Sequence, residues 1–160
     1  MNHFQSLKTL SYVQVRRILR IWIQTIIPPA ITTALYFLIF GELIGSRIGE
    51  MPGYEGLTYL EFMVPGLIML AVITNSYANV ASAFFGAKFQ KAIEEILISP
   101  MANWAILLGF IVGGIARGVL VGVVVVLVSL FFTNFGISNI FLTLFSILLT
   151  STLFSILGLI

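Results

Sequence analysis

The side chains able to do chemistry are few, and their types exclude most reactions. The 160-residue chain has no cysteine and a single histidine, His3, so it offers no disulfide framework, no cysteine-ligated metal, no histidine cluster and no Ser-His-Asp triad. Its six acidic residues are all glutamates, Glu42, Glu50, Glu55 and Glu61 in one polar stretch and Glu94 and Glu95 in another. None of them pairs within an apolar segment in the manner of hydrolytic carboxylates. A phosphate-cradling loop of the G-x-x-x-x-G-K-[ST] kind is absent; the nearest stretch, Gly86-Ala87-Lys88-Phe89, lacks the preceding glycine spacing. No cofactor is implied.

Three features stand inside apolar runs. Asn75, Asn79, Ser82 and Gly86 recur at i, i+4, i+7 and i+11, a polar and small stripe on one helix face. Such a stripe is costly in lipid and is expected to face protein or a cavity, either for helix–helix hydrogen bonding or for contact with something transported. Gly114, Gly118 and Gly122 repeat every four residues and allow a neighbouring backbone to come close, whether from this chain or from a second copy. Arg117 lies among them as a lone charge. At the centre of a membrane helix it would cost ~2.5–3.5 kcal/mol. A break at Gly113-Gly114 is expected to bring it near the interface, where it snorkels to lipid phosphates; alternatively, it lines a route for an anionic cargo.

The elements that must carry these residues are membrane spans. Hydrophobic residues make up 59% of the chain and charged residues 9%, whereas a soluble domain carries roughly 25% charge. The net charge of +2 suggests no nucleic-acid partner. Crossing ~30 Å of hydrocarbon takes about 20 apolar residues, and four segments qualify: about 21–40, 62–85, 113–132 and 140–160. The whole uninterrupted stretch 104–132 would be about 43 Å long as one straight helix. Pro28 and Pro29 should bend the first span. Ahead of it, Phe4, Leu7, Val15, Ile18 and Trp22 mark one face of an amphipathic helix lying in the headgroup region, with Lys8, Arg16, Arg17 and Arg20 mostly off that face.

Basic residues assign the sides. Lys8, Arg16, Arg17 and Arg20 precede the first span and Lys88 and Lys91 follow the second, against Arg47 alone in the 41–61 loop. The excess puts the N-terminus and the 86–103 segment in the cytoplasm. That segment reads as a short amphipathic helix on the membrane surface. Phe85, Phe89, Ile93 and Ile96 take helical spacing, Lys91 precedes Glu95 by four residues, and Ser99-Pro100 ends it. A plain connection between spans is the alternative. The apolar run reaching Ile160 is expected to belong to a truncated chain whose missing part holds further spans.

The run Phe85 to Leu108, with Lys88, Lys91, Glu94-Glu95-Ile96-Leu97-Ile98-Ser99-Pro100 and Ile106-Leu107-Leu108-Gly109, resembles the loop after the second span of ABC-2 type permeases. Arg20-Ile21-Trp22, Pro28-Pro29, Gly45-Ser46-Arg47-Ile48-Gly49 and Val64-Pro65-Gly66-Leu67 strengthen the resemblance, which covers essentially all 160 residues. It implies an all-α membrane domain over 1–160, part of a six-span subunit that works as a homodimer with two ATP-binding cassette ATPase subunits in a bacterial inner membrane. Lys88, Lys91, Glu94, Glu95, Leu97, Ser99 and Pro100 would then form the coupling helix seated on the ATPase. The absence of intramembrane acids agrees with a partner supplying the energy. The function implied is export of an unidentified cargo by a permease that is not itself an enzyme. The rival reading is a non-transporting tetraspan scaffold or assembly factor, which would not bind an ATPase through that helix.

Overall fold

The computed structural model describes residues 3–45, 58–98, 101–133 and 139–160, and in them the chain is helical almost throughout. The helices are α1 (His3–Arg20), α2 (Trp22–Tyr36), α3 (Tyr59–Phe89), α4 (Ala92–Ile98), α5 (Asn103–Phe132) and α6 (Ile140–Leu157). A π-helical segment, Phe37–Gly45, continues α2. Four stretches are long and apolar enough to cross a membrane: Trp22–Gly41, Tyr59–Phe89, Asn103–Phe132 and Ile140–Leu157. Many large apolar side chains point outward, Leu70, Leu127, Phe131, Phe141, Phe145 and Leu153 among them. Water would penalise that surface heavily, whereas hydrocarbon does not. The chain is an all-α integral membrane protein.

Local chemistry sets the ends of the elements. Ile21 leaves the helical region at φ −108° and ψ 34°, separating α1 from α2. Thr58 opens α3 in extended conformation; its backbone N–H donates to the Glu61 carboxylate at 3.0 Å and its hydroxyl donates to the same oxygen at 2.8 Å. This reciprocal cap occupies groups that the first helical turn leaves without partners. Pro28 and Pro29 lie inside α2, so the carbonyls of Gln24 and Thr25 lack their i+4 donors.

α5 is the hub, packing on α1, α2, α3 and α6. Its glycines record the register. A Cβ at Gly114, Gly118 or Gly122 would strike Val80, Ser76 and Val72 of α3 in turn, and Ser155, Ser151 and Ile147 of α6. Numbers fall on α3 and α6 as they rise on α5, so both neighbours run antiparallel to it. All three helices contribute positions four residues apart, the ridge pattern that interdigitates at close approach. Gly109 and Gly113 meet Leu10 and Gln14 of α1, whose numbers rise together with those of α5. α1 therefore runs alongside the first part of α5 in the same direction.

The close approach also corrects the expected break. α5 continues without interruption through Gly113 and Gly114, because both glycines are buried against neighbours that hold the helix from two sides. Their role is proximity rather than flexibility. On α1 the packed face matches the anticipated one only in part: Ile18 is buried as expected, but Gln14 is buried beside it and Leu10 packs against the core, whereas Val15 is half-buried and Trp22 is exposed.

Two apolar clusters hold the bundle. One gathers Phe37, Val64, Ile68, Val72, Val121, Val125 and Ile147; the other gathers Val80, Ala83, Ile106 and Phe110, with Leu10 and Phe84 against it. Between them lies a thin layer of small and polar groups, Ser76, Asn79, Gly114, Gly118, Ser151 and Ser155, all buried.

Candidate functional site

Two places collect the residues singled out above. The first is the turn between α3 and α5. α3 does not stop at the expected start of a surface helix but runs on through Phe85, Lys88 and Phe89. The single amphipathic helix anticipated from residue 85 onward is thus two pieces. The chain turns where Gln90 N–H donates to Gly86 O at 3.0 Å and Lys91 N–H donates to Lys88 O at 3.2 Å. Lys91 takes a left-handed backbone, φ 57°, which is uncommon for a residue with a side chain. Its carbonyl then accepts from Glu94 N–H at 3.0 Å and starts the seven-residue α4. Lys91 consequently precedes α4 rather than sharing a helix with Glu95.

Lys88, Lys91 and Glu94 are exposed at this turn, together with Phe85, Phe89 and Ile98. Phe85 and Phe89 stack on each other with ring centroids 6.3 Å apart. The side chains of Glu95 and Leu97, and all of Ser99 and Pro100, lie outside the described residues. A recess of about 370 Å³ behind the turn brings Gln14 and Arg17 of α1 together with Ser82, Gly86 and Gln90. Partial burial lowers the Arg17 pKa from its ordinary value.

The second place is a cavity of about 340 Å³ between α2, α3 and α5. Arg117 enters it from α5, Asn75 and Thr74 from α3, and Gln24, Thr32 and the two prolines from α2. Arg117 lies near the middle of α5, roughly 21 Å from its first residue at 1.5 Å per residue. Its Nε is buried and has no hydrogen-bond partner among the described residues. Asn75 donates to Ala71 O at 2.9 Å and Thr74 to Leu70 O at 2.7 Å, each within its own helix.

The structure divides the sequence stripe instead of turning it to one surface. Asn75 faces the Arg117 cavity, Ser82 and Gly86 face the recess at the turn, and Asn79 is buried between them, 3% exposed. Asn79 Nδ2 lacks a partner among the described residues and sits beside Gly113. Sequence reasoning missed Gln24, Thr32 and Thr74 as cavity-lining residues. The signal available was Pro28-Pro29, since a double proline frees carbonyls and leaves irregular space in a membrane helix.

The chain is 50% identical over 157 residues to the protein named inner membrane transport permease YadH from Escherichia coli K12. The match covers 98% of this chain and 60% of that protein, and the Shigella flexneri protein of the same name matches to the same extent. The chain thus spans about 60% of the length of the curated relatives it matches. No solved structure matches it. Residues 5–160 match the family described as ABC-2 type transporter. That match takes in nearly the whole chain, and the chain belongs to the ABC-2 type transporter family.

Proposed function

We propose that the chain is membrane-spanning permease sequence of an ATP-binding cassette exporter in a bacterial inner membrane. A separate ATPase subunit hydrolyses ATP, the permease works as a homodimer, and its cargo is moved outward. Family membership supports the class, and the name of the Escherichia coli relative, an inner membrane transport permease, supports the location. The basic residues before α2 and around α4 favour a cytoplasmic N-terminus and a cytoplasmic α4.

The observation that carries the ATPase assignment is the turn between α3 and α5. Phe89 is 80% and Ile98 85% exposed there, beside the charges of Lys88, Lys91 and Glu94. Aromatic and aliphatic groups ringed by charge suit a protein partner better than lipid or water. Lys88, Lys91, Glu94, Glu95, Leu97, Ser99 and Pro100 are assigned to that contact, with the apolar groups supplying most of the affinity. Asn79 is assigned to packing, because it is buried between α1 and α5. Lipid surrounds the remaining apolar faces.

The test is recovery of the ATPase with tagged permease from native membranes. Glu94→Lys combined with Glu95→Lys, and separately Phe89→Ala with Ile98→Ala, should each lower recovery, the apolar pair by roughly ten-fold or about 1.4 kcal/mol. Permease abundance in the membrane should not change. Unchanged recovery in both double variants would reduce α4 to a connector.

A further inference from the structure

The cavity holding Arg117 presents a cation to a recess that opens at the surface of the bundle. Among the described residues its lining contains no carboxylate, and the buried Arg117 Nε has no hydrogen-bond partner. A half-buried guanidinium without a counterion among the described residues is costly in a membrane helix. Gln24 and Thr32 add side-chain donors on the facing helix. Pro28, Pro29 and Leu67 make the remaining wall apolar, and Tyr36 and Leu70 are exposed at its rim. The cavity therefore opens on an exposed, apolar face of the bundle, not on a sealed core.

We infer that this cavity is a binding site for a phosphate group, held by Arg117 with Gln24 and Thr32, on an anion that enters from the lipid side. The planar guanidinium meets phosphate oxygens through paired N–H donors, and the anion offsets the charge that the protein leaves uncompensated. Basic recesses between membrane helices take anionic headgroups in this manner. The volume of about 340 Å³ falls at the small end of the ~300–1,000 Å³ usual for ligand pockets. That is room for a headgroup, while the acyl chains lie outside along the exposed side chains of Ile31, Leu35 and Leu70.

The experiment uses the protein in nanodiscs of phosphatidylethanolamine with phosphatidylglycerol, released into the gas phase for native mass spectrometry of retained lipid. Wild type should retain phosphatidylglycerol, and Arg117→Gln should weaken that retention about ten-fold, while Arg16→Gln, on the exposed side of α1, should match wild type. Arg117→Lys keeps the charge without the fork and should fall between wild type and Arg117→Gln, which guards against a folding defect in the glutamine variant. Added inorganic phosphate distinguishes the sources: retention that survives it assigns the site to a lipid headgroup, and displacement assigns it to soluble phosphate. Equal retention by wild type and Arg117→Gln would overturn the inference. So would equal losses in Arg117→Gln and Arg16→Gln, which would mean only a diffuse attraction between a basic surface and anionic lipid. Neither readout involves the ATPase, so failure here is separable from failure of the transport assignment.

Discussion

At the scale of single residues, the glycines of α5 are the most exacting positions. A Cβ on Gly118 would collide with Ser76 on one side and come within 2.9 Å of Ser151 Cβ on the other. α5 cannot move away from one neighbour without pressing on the other. Gly118→Ala should therefore destabilise the bundle by about 1–3 kcal/mol, the usual cost of overpacking, seen as a lower melting temperature in detergent. Gly66 provides the internal control, since nothing lies within 4 Å of its Cβ position. Gly66→Ala should be neutral or stabilising by up to about 1 kcal/mol. Equal behaviour of the two variants would remove the close-approach explanation. The four-residue glycine repeat was legible in the sequence, but its partners were not. Ser151 and Ser155 look unremarkable in an apolar run until α6 is laid beside α5. Arg117 was legible as an anomaly, whereas its cavity depends on three helices meeting and could not be read from any one of them.

Among the elements, the turn after α3 departs most from simple periodicity. Phe85, Phe89, Ile93 and Ile96 fit one helical face on spacing alone, yet the helix ends between Phe89 and Ala92. Periodicity reports which residues could share a face, not whether the backbone stays helical between them. Here a left-handed Lys91 makes the corner. A side chain in that conformation costs about 1–2 kcal/mol relative to glycine, so Lys91→Gly should raise thermal stability by about 1 kcal/mol while leaving the turn in place. A fall in stability would mean that the lysine side chain holds the corner. The direction of the helices makes a second prediction at this scale. α2 and α3 are adjacent spans joined by residues 46–57, and α3 ends at the α4 turn. Cysteines in place of Ser46 and Gln90 should react with an impermeant thiol reagent from opposite sides of the membrane, Gln90 from the cytoplasm. Labelling of both from one side would reject the four-span arrangement.

For the molecule as a whole, α5 organises the bundle, and the packed small-residue layer around Gly118 divides two apolar clusters. The membrane class was plain from composition, because 9% charge cannot wet the surface of a soluble fold. Function follows from family membership, to which the proposed ATPase contact at the turn after α3 adds a mechanism. The most direct measurement is affinity purification of the protein from its native membrane in mild detergent, followed by identification and stoichiometry of what accompanies it. The transport assignment predicts an ATP-binding cassette ATPase present in equal amount to the permease, with ATP hydrolysis in the purified complex and none in the permease alone. Recovery of the protein without any nucleotide-hydrolysing subunit, under conditions that keep it folded, would contradict the assignment.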